Sequence, residues 1–143
     1  MAKHPTAKVT LAEYETLAEF RYSLRKFLHF SEEAAAAAGL TPQNHQALLA
    51  IKGFPSGLRM TIGDLAERLQ IRHNSAVGLV DRLVQKRLVK RMQDKADRRQ
   101  AWLALTKQGE AVLETLSAAH KEQLQQSGPQ IETLLKRLRS GSA

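Results

Sequence analysis

From Leu11 onward, apolar side chains recur every three or four positions, which is the repeat of one face of an α-helix. The repeating residues are Leu17, Phe20, Leu24, Phe27 and Leu28. The pattern continues through an alanine-rich stretch, residues 34–38, and stops at Gly39, a residue type that often ends helices. The spacing therefore predicts one long N-terminal helix.

Three shorter helices are predicted next. Thr41-Pro42 combines an N-cap residue with a proline at the first helical position, and the helix that it opens ends at GFPSG, residues 53–57. Thr61 is expected to cap a third helix, and the connection IRHN, residues 71–74, leads into a fourth. The apolar stripe of the fourth helix comprises Ala76, Leu79, Val80 and Leu83. Two helices joined by about four residues predict a helix-turn-helix.

The apolar period then changes from helical to alternating. Two short stretches, residues 88–92 and 101–105, predict strands on either side of the polar sequence DKADRRQ, residues 94–100. A β-hairpin directly after a helix-turn-helix is a winged helix. The predicted fold class is therefore mainly α with a small β-hairpin wing.

The C-terminal third returns to helical spacing. Thr106 is expected to cap a long helix ending near Gln126, and Ser-Gly-Pro at 127–129 predicts a break before a last helix. This organisation gives an N-terminal dimerisation helix at 1–40, a winged helix-turn-helix lobe at 41–105 and C-terminal dimerisation helices at 106–143. Because one lobe offers the terminal helices little to pack on, their apolar stripes predict a homodimer. These stripes are Leu17, Phe20 and Leu24, and Ile131, Leu134 and Leu138.

The net charge of +8 is concentrated in one part of the chain. Residues 61–109 carry 11 Lys or Arg against 5 Asp or Glu, whereas the charge is +2 over residues 1–60 and zero over residues 110–143. A local excess of this kind favours a polyanion surface, and double-stranded DNA is a better fit than a membrane because no basic amphipathic helix dominates. A solvated basic face kept for solubility is the alternative.

Several function classes find no support in the sequence. The chain has no cysteine, no apolar N-terminal leader and no apolar stretch of membrane-spanning length, so a cytoplasmic location is expected. No nucleophile elbow, phosphate-binding glycine loop or HExxH motif is present, so no enzyme, cofactor or metal site is predicted. The histidines are scattered: His4, His29, His45, His73 and His120.

DNA contacts are expected first at the start of the fourth helix, since recognition helices use their N-terminal residues at base edges. The candidates are Arg72, His73, Asn74, Ser75, Val77 and Gly78. Arg82 is expected in a structural pair or at a phosphate, and Lys86 and Arg91 are expected at phosphates. Asn74 could bind adenine or cap the helix, and Val77 could meet a thymine methyl or belong to the core. Gly78 permits close approach of the DNA backbone, or is simply tolerated.

The second group of expected DNA contacts is Asp97, Arg98 and Arg99 in the wing. In an extended wing, residues two apart project to the same side, so Asp97 is expected to hold the guanidinium of Arg99. Arg99 is then the predicted minor-groove contact, and Arg98 a phosphate contact or solvated. An exposed pair without a role in DNA binding is the alternative.

The sequence resembles the MarR family of bacterial transcription regulators over nearly its whole length. The matching pieces are LTPQNHQALLAI at 40–51, TIGDLAERLQI at 61–71, SAVGLVDRLVQKRLVKR at 75–91 and DKADRRQAWLALTKQG at 94–109. The aspartate–arginine wing followed by Leu-Thr-x-x-Gly is the most specific of them. Two residues depart from the usual pattern: Arg87 stands where the family usually has glycine, and Gly78 where a polar or basic residue often faces DNA.

The resemblance implies a ligand-responsive repressor that binds a pseudo-palindromic operator as a homodimer. It also implies that a small aromatic or apolar anionic effector weakens DNA binding. Phe27, Phe30 and His45 could border such a ligand pocket, with core or interface packing as the alternative for each. A winged helix that binds other proteins is the rival interpretation, because this fold does not require DNA binding.

Overall fold

The computed structural model describes residues 8–140 and contains five helices and one hairpin, which confirms the predicted fold class, mainly α with a β-hairpin wing. The elements are α1 (Leu11–Ala37), α2 (Pro42–Lys52), α3 (Ile62–Leu69), α4 (His73–Gln85), β1 (Val89–Gln93), β2 (Ala101–Leu105) and α5 (Lys107–Ser140). His4 and the outermost residues of the predicted terminal segments lie outside the described range. No helix within that range is long and apolar enough to cross a membrane.

The chain divides into two compact units. The winged-helix unit covers Glu32–Ala118, and the other unit, here the terminal unit, comprises the described residues up to Ser31 and from Ala119 onward. The winged-helix unit is thus longer than the predicted lobe at both ends. Ala35 from α1 and Leu113 and Leu116 from α5 belong to its hydrophobic core, which explains the extension.

Leucines from three helices form the centre of the winged-helix unit. Leu48 of α2, Leu65 of α3 and Leu83 of α4 are fully buried, and each such side chain contributes about 1.5–3 kcal/mol on burial. The hairpin covers one side, with β1 antiparallel to β2 and Val89 opposite Leu105. The periodic stripe seen in the sequence therefore identifies the core face of α4.

Thr41 and Thr61 begin α2 and α3 as predicted. Each hydroxyl accepts a hydrogen bond from the backbone N–H three residues on, and the side chain at that position, Asn44 or Asp64, accepts one from the threonine N–H. These reciprocal bonds satisfy N–H groups that have no partner inside the helix. Local sequence is sufficient to fix both helix starts.

Helix α4 ends at Gln85, and two residues later Arg87 has a left-handed backbone with φ of 61°. The N–H of Arg87 donates to the carbonyl of Val84, and the N–H of Leu88 donates to that of Leu83. This two-bond ending usually places glycine at the left-handed position, because a Cβ is strained there. Arg87 therefore adopts the backbone conformation that the usual glycine would adopt, although arginine is poorly suited to it.

Replacing Arg87 with glycine is expected to stabilise the protein by about 1 kcal/mol, since the left-handed conformation costs a non-glycine residue about 1–2 kcal/mol. Urea unfolding followed by circular dichroism measures the change. Lys86→Gly is the matched control, because Lys86 has φ of −75° and should lose stability with glycine. Destabilisation by both substitutions would show that the backbone at residue 87 is unstrained.

The predicted break at 127–129 is wrong, since α5 runs through it without interruption. Pro129 lacks an N–H and so removes one helical hydrogen bond, but the bonds before and after it remain possible. The hydroxyl of Ser127 donates to the carbonyl of Gln123, and that of Thr133 donates to the carbonyl of Pro129. The Ser-Gly-Pro signal is local and does not overcome the helical sequence on both sides.

In the terminal unit, α1 turns small polar residues inward. Thr16, Ser23 and Ser31 are buried, whereas large apolar side chains of the same helix are exposed. The exposed apolar residues of this unit are Val9, Leu11, Tyr14, Leu17, Tyr22, Leu28, Leu124 and Leu135. The unit thus presents an apolar surface to its surroundings.

Candidate nucleic-acid interface

The turn between α3 and α4 sets the start of the candidate recognition helix. Gln70 adopts a left-handed backbone with φ of 55°, and the N–H of Ile71 bonds the carbonyl of Ala66. Helix α4 then begins at His73, earlier than the predicted IRHN connection allowed. The N-cap is Arg72, whose side chain makes no capping bond, so the suggestion that Asn74 caps the helix is wrong.

The first turn of α4 is open to solvent. Arg72, His73, Asn74 and Ser75 are all exposed, so their polar atoms are available at the end of the helix that a recognition helix directs to base edges. The N–H groups of this turn also carry the positive end of the helix dipole. The first turn of α4 thus has the exposure that a recognition helix requires, and its contacts with DNA are a prediction.

Val77 and Gly78 are half-buried on the next turn. Val77 is not part of the hydrophobic core cluster, which argues against the core alternative for this residue. A Cβ at Gly78 would lie 3.4 Å from Nη1 of Arg82, so the Arg82 side chain folds over the glycine. Glycine at this position therefore leaves room for a guanidinium beside the helix surface.

Two of the predicted phosphate contacts already have partners within the chain. Nζ of Lys86 lies 3.4 Å from the carbonyl of Gly39. The Arg91 guanidinium forms an ion pair with Asp81, which links β1 to α4. Since both side chains remain exposed, they can still meet phosphates, but Asp81 offsets part of the charge of Arg91.

The predicted Asp97–Arg99 pair is present at the wing tip. Oδ1 of Asp97 accepts from Nε of Arg99 at 3.2 Å and from its backbone N–H at 3.0 Å. The expected cause is wrong, because residues 97–100 form a turn closed by the N–H of Gln100 on the carbonyl of Asp97, and not an extended strand. An aspartate that bonds the backbone two residues on is typical of such turns.

The side chain of Arg99 is 93% exposed although its Nε is held by Asp97. The remaining donors of its guanidinium therefore face solvent, while Nε is bonded to Asp97. Arg98 is also exposed, and Asp97 is half-buried. Of the three predicted wing residues, Arg99 combines a defined orientation with an open donor edge.

Asp94 organises the base of the wing. Its side chain accepts from the N–H of Ala96 at 2.8 Å, and its own N–H donates to the carbonyl of Gln100 at 3.1 Å. The bond from Ala96 and, to a smaller extent, the guanidinium of Arg59 hold the pKa of Asp94 below the usual value of 3.8, with desolvation opposing them. These bonds therefore persist above pH 3.8 and are lost only as the pH falls through the lowered pKa.

Arg59 is not among the residues that the sequence predicts at the DNA interface. This residue lies in the loop between α2 and α3, and its guanidinium stacks 3.8 Å from the centre of the Trp102 ring. Its Nη1 is 3.3 Å from Oδ2 of Asp94. No local pattern indicates this arrangement, because the three residues come from separate parts of the chain.

The predicted ligand-pocket residues fall into different units. Phe27 and Phe30 lie edge-on to the His120 ring, at 5.9 and 5.2 Å between ring centres, and Nε2 of His120 is 2.8 Å from Oγ of Ser31. His45 is fully buried in α2 of the winged-helix unit. The structure thus groups the two phenylalanines with His120, a residue that the sequence did not predict at a ligand pocket.

A helix-turn-helix with an open first turn, followed by a two-stranded wing with an exposed arginine at its tip, defines the chain as a winged helix-turn-helix protein. Residues 38–100 match the model described as the MarR family. The resemblance to the MarR family that the sequence had indicated is therefore confirmed over these residues.

Similar proteins are known from several bacteria. The HTH-type transcriptional repressor MdtR of Bacillus subtilis (strain 168) is 30% identical over 89 residues, which is 62% of this chain and 56% of MdtR. The aligned part therefore spans little more than half of that relative. A single-residue mutant of S. aureus MepR superposes with a TM-score of 0.74 at 19% identity, covering 93% of this chain and 98% of MepR.

Two further structures share the fold. S. aureus MepR in complex with DNA gives a TM-score of 0.67 at 20% identity, covering 85% of this chain and 96% of that one. CouR from Rhodococcus jostii RHA1, bound to p-coumaroyl-CoA, gives 0.69 at 21% identity, covering 92% of both chains. These similarities show that the described helices and strands have the same fold as those proteins.

Proposed function

We propose that this protein is a sequence-specific, ligand-responsive transcriptional repressor that binds a pseudo-palindromic operator as a homodimer. The observation that carries the proposal is the pairing of an open first turn of α4 with the oriented Arg99 of the wing, inside the segment of net charge +6. A helix for the major groove and an arginine for the minor groove are what a winged helix needs to read DNA. The repressor MdtR and the MepR–DNA complex support the same function.

A protein-interaction module is the rival function, and the salt dependence of DNA binding distinguishes the two. A protein that neutralises several phosphates loses affinity steeply with salt, because counterions are released on binding. A module that docks on protein through its wing has no need of the excess of basic residues in residues 61–109. We expect binding to generic duplex DNA to weaken strongly between about 50 and 200 mM salt.

Selection of bound fragments from the source genome is the direct test of the repressor proposal. We expect recovered sites to be pseudo-palindromic, with half-sites one helical turn apart or roughly 34–36 Å between centres. Protection of a single half-site by a monomer would contradict the two-lobed binding mode. Recovery of no preferred fragment would remove the proposal itself.

A small aromatic or apolar anionic effector that weakens operator binding belongs to the same proposal. CouR holding p-coumaroyl-CoA supports ligand binding in this architecture. Phe27 and Phe30 form a paired aromatic group with His120, and an apolar ligand ring would find suitable contacts there. His45 is not part of this aromatic group, because it is buried in α2 of the winged-helix unit.

The homodimer is supported by the apolar surface of the terminal unit. Tyr14, Leu17 and Leu28 are exposed on α1 while its small polar residues are buried, which is the reverse of the order expected for a helix with no partner. Leu134, expected at the interface, is already buried within the single chain. The proposed interface therefore rests mainly on the exposed residues.

Leu17→Glu is expected to weaken the dimer by about tenfold or more, since it places a charge within the apolar surface. Sedimentation across a range of micromolar concentrations measures the change. Leu49→Glu is the matched control, because Leu49 is 44% exposed against 43% for Leu17 but lies on α2 of the winged-helix unit. A wild-type protein that sediments only at 15.9 kDa would contradict the dimer.

A further inference from the structure

The base of the wing is tied to a part of the chain outside the hairpin. Arg59 comes from the loop between α2 and α3, stacks on Trp102 of β2 at 3.8 Å and bonds Asp94 at the end of β1 at 3.3 Å. One planar side chain thus contacts both sides of the hairpin. We name Arg59, Trp102 and Asp94 the wing anchor.

The wing anchor joins two further bonds that limit the motion of the hairpin. The N–H of Leu103 donates to the carbonyl of Met60 at 2.8 Å, directly beside Arg59. The N–H of Asp94 donates to the carbonyl of Gln100, which closes the turn segment that carries Arg99. Asp94 therefore connects Arg59 to the turn that carries Arg99 through two consecutive hydrogen bonds.

We propose that Arg59 is a positioning residue for DNA binding, which holds the wing through Trp102 and Asp94 so that Arg99 is already oriented when the operator is met. This inference rests on the proposed function. Its physical basis is preorganisation: a wing fixed before binding loses less conformational freedom on binding. Arginine suits the position because a planar guanidinium can stack on a ring and bond a carboxylate at the same time.

A simple electrostatic role makes different predictions from a positioning role. Trp102→Leu changes no charge, so electrostatics alone leaves operator affinity unaltered, whereas loss of the stack should lower affinity about three- to tenfold. Trp102→Phe keeps a ring under Arg59 and should restore most of the affinity. Asp94→Asn removes a negative charge, so net charge predicts tighter binding and positioning predicts weaker binding.

The decisive experiment is a double-mutant cycle on the operator recovered from the genomic selection. Arg59→Ala should lower affinity about three- to tenfold in the wild-type protein but less than about twofold in the Arg99→Ala protein, because it acts through Arg99. The salt dependence should be unchanged, since no phosphate contact is lost. Arg68→Ala is the control, with the same charge change and loss of a longer cation–π contact, to Phe54 at 5.3 Å. Its effect should be equal in both backgrounds.

The free protein gives a second readout. Trp102 is the one tryptophan of the chain, so its fluorescence reports the wing anchor alone. Quenching by acrylamide should increase in Arg59→Ala and stay at the wild-type level in Arg68→Ala, while the thermal melting of both remains near wild type. Unchanged quenching, or additive effects of Arg59→Ala and Arg99→Ala, would overturn the positioning role. If no operator is recovered, the proposed function fails first and for a separate reason.

Discussion

Gly109→Ala is expected to cost about 3 kcal/mol of folding stability or more, the largest loss expected from adding a methyl group at any of the described glycines. A Cβ at residue 109 would lie 2.1 Å from the carbonyl oxygen of Leu88 and 3.0 Å from its carbonyl carbon. The obstacle is backbone, and that backbone is fixed, since the N–H of Thr106 bonds the same Leu88 oxygen at 3.0 Å. Chemical unfolding in urea gives the loss as a shift of the midpoint.

The sign of this effect is opposite to that expected from helix propensity. Gly109 lies in the first turn of α5, where alanine is normally the better residue by up to about 1 kcal/mol. Gly63→Ala in α3 is the matched control in the same unit, because its nearest neighbour would be Oγ1 of Thr61 at an ordinary 3.6 Å. It should be neutral or stabilising. Equal stability of both variants would show that α5 can move away from Leu88.

Arg99→Ala is expected to remove about 1–3 kcal/mol of operator binding while leaving the dimer and its melting temperature nearly unchanged. The side chain is almost fully exposed, so its loss disturbs no packing, and its open donor edge is the predicted minor-groove contact. Arg98→Ala is the control with the same charge change one residue away. Fluorescence anisotropy with the selected operator measures both, and equal losses would contradict a special role for Arg99.

The same assay applied to Asp97→Ala distinguishes orientation from net charge. Removing an acid near DNA should strengthen binding if only charge matters. Because Asp97 holds both Nε and the backbone N–H of Arg99, its loss should instead weaken binding. Tighter binding by Asp97→Ala at physiological salt would refute the idea that the acid orients the base.

Some features of this protein follow from the sequence because their causes lie within a few residues. The threonine caps, the apolar stripe of α4 and the alternating strands all depend on neighbours along the chain, and the structure confirms them. The Asp97–Arg99 pair also belongs here, although a turn produces it. The concentration of positive charge in residues 61–109 needs no structure at all.

Other features were decided by contacts between distant parts of the chain. The wing anchor forms only when Arg59 of the α2–α3 loop meets Trp102 and Asp94 of the hairpin. Glycine is required at residue 109 because α5 packs there on the backbone of Leu88. The break predicted at Pro129 failed for a different reason, because the helical sequence on both sides of the Ser-Gly-Pro signal continues α5 through it. Periodicity and caps act over one or two turns of chain, whereas the packing of backbone on backbone has no counterpart in local residue preference.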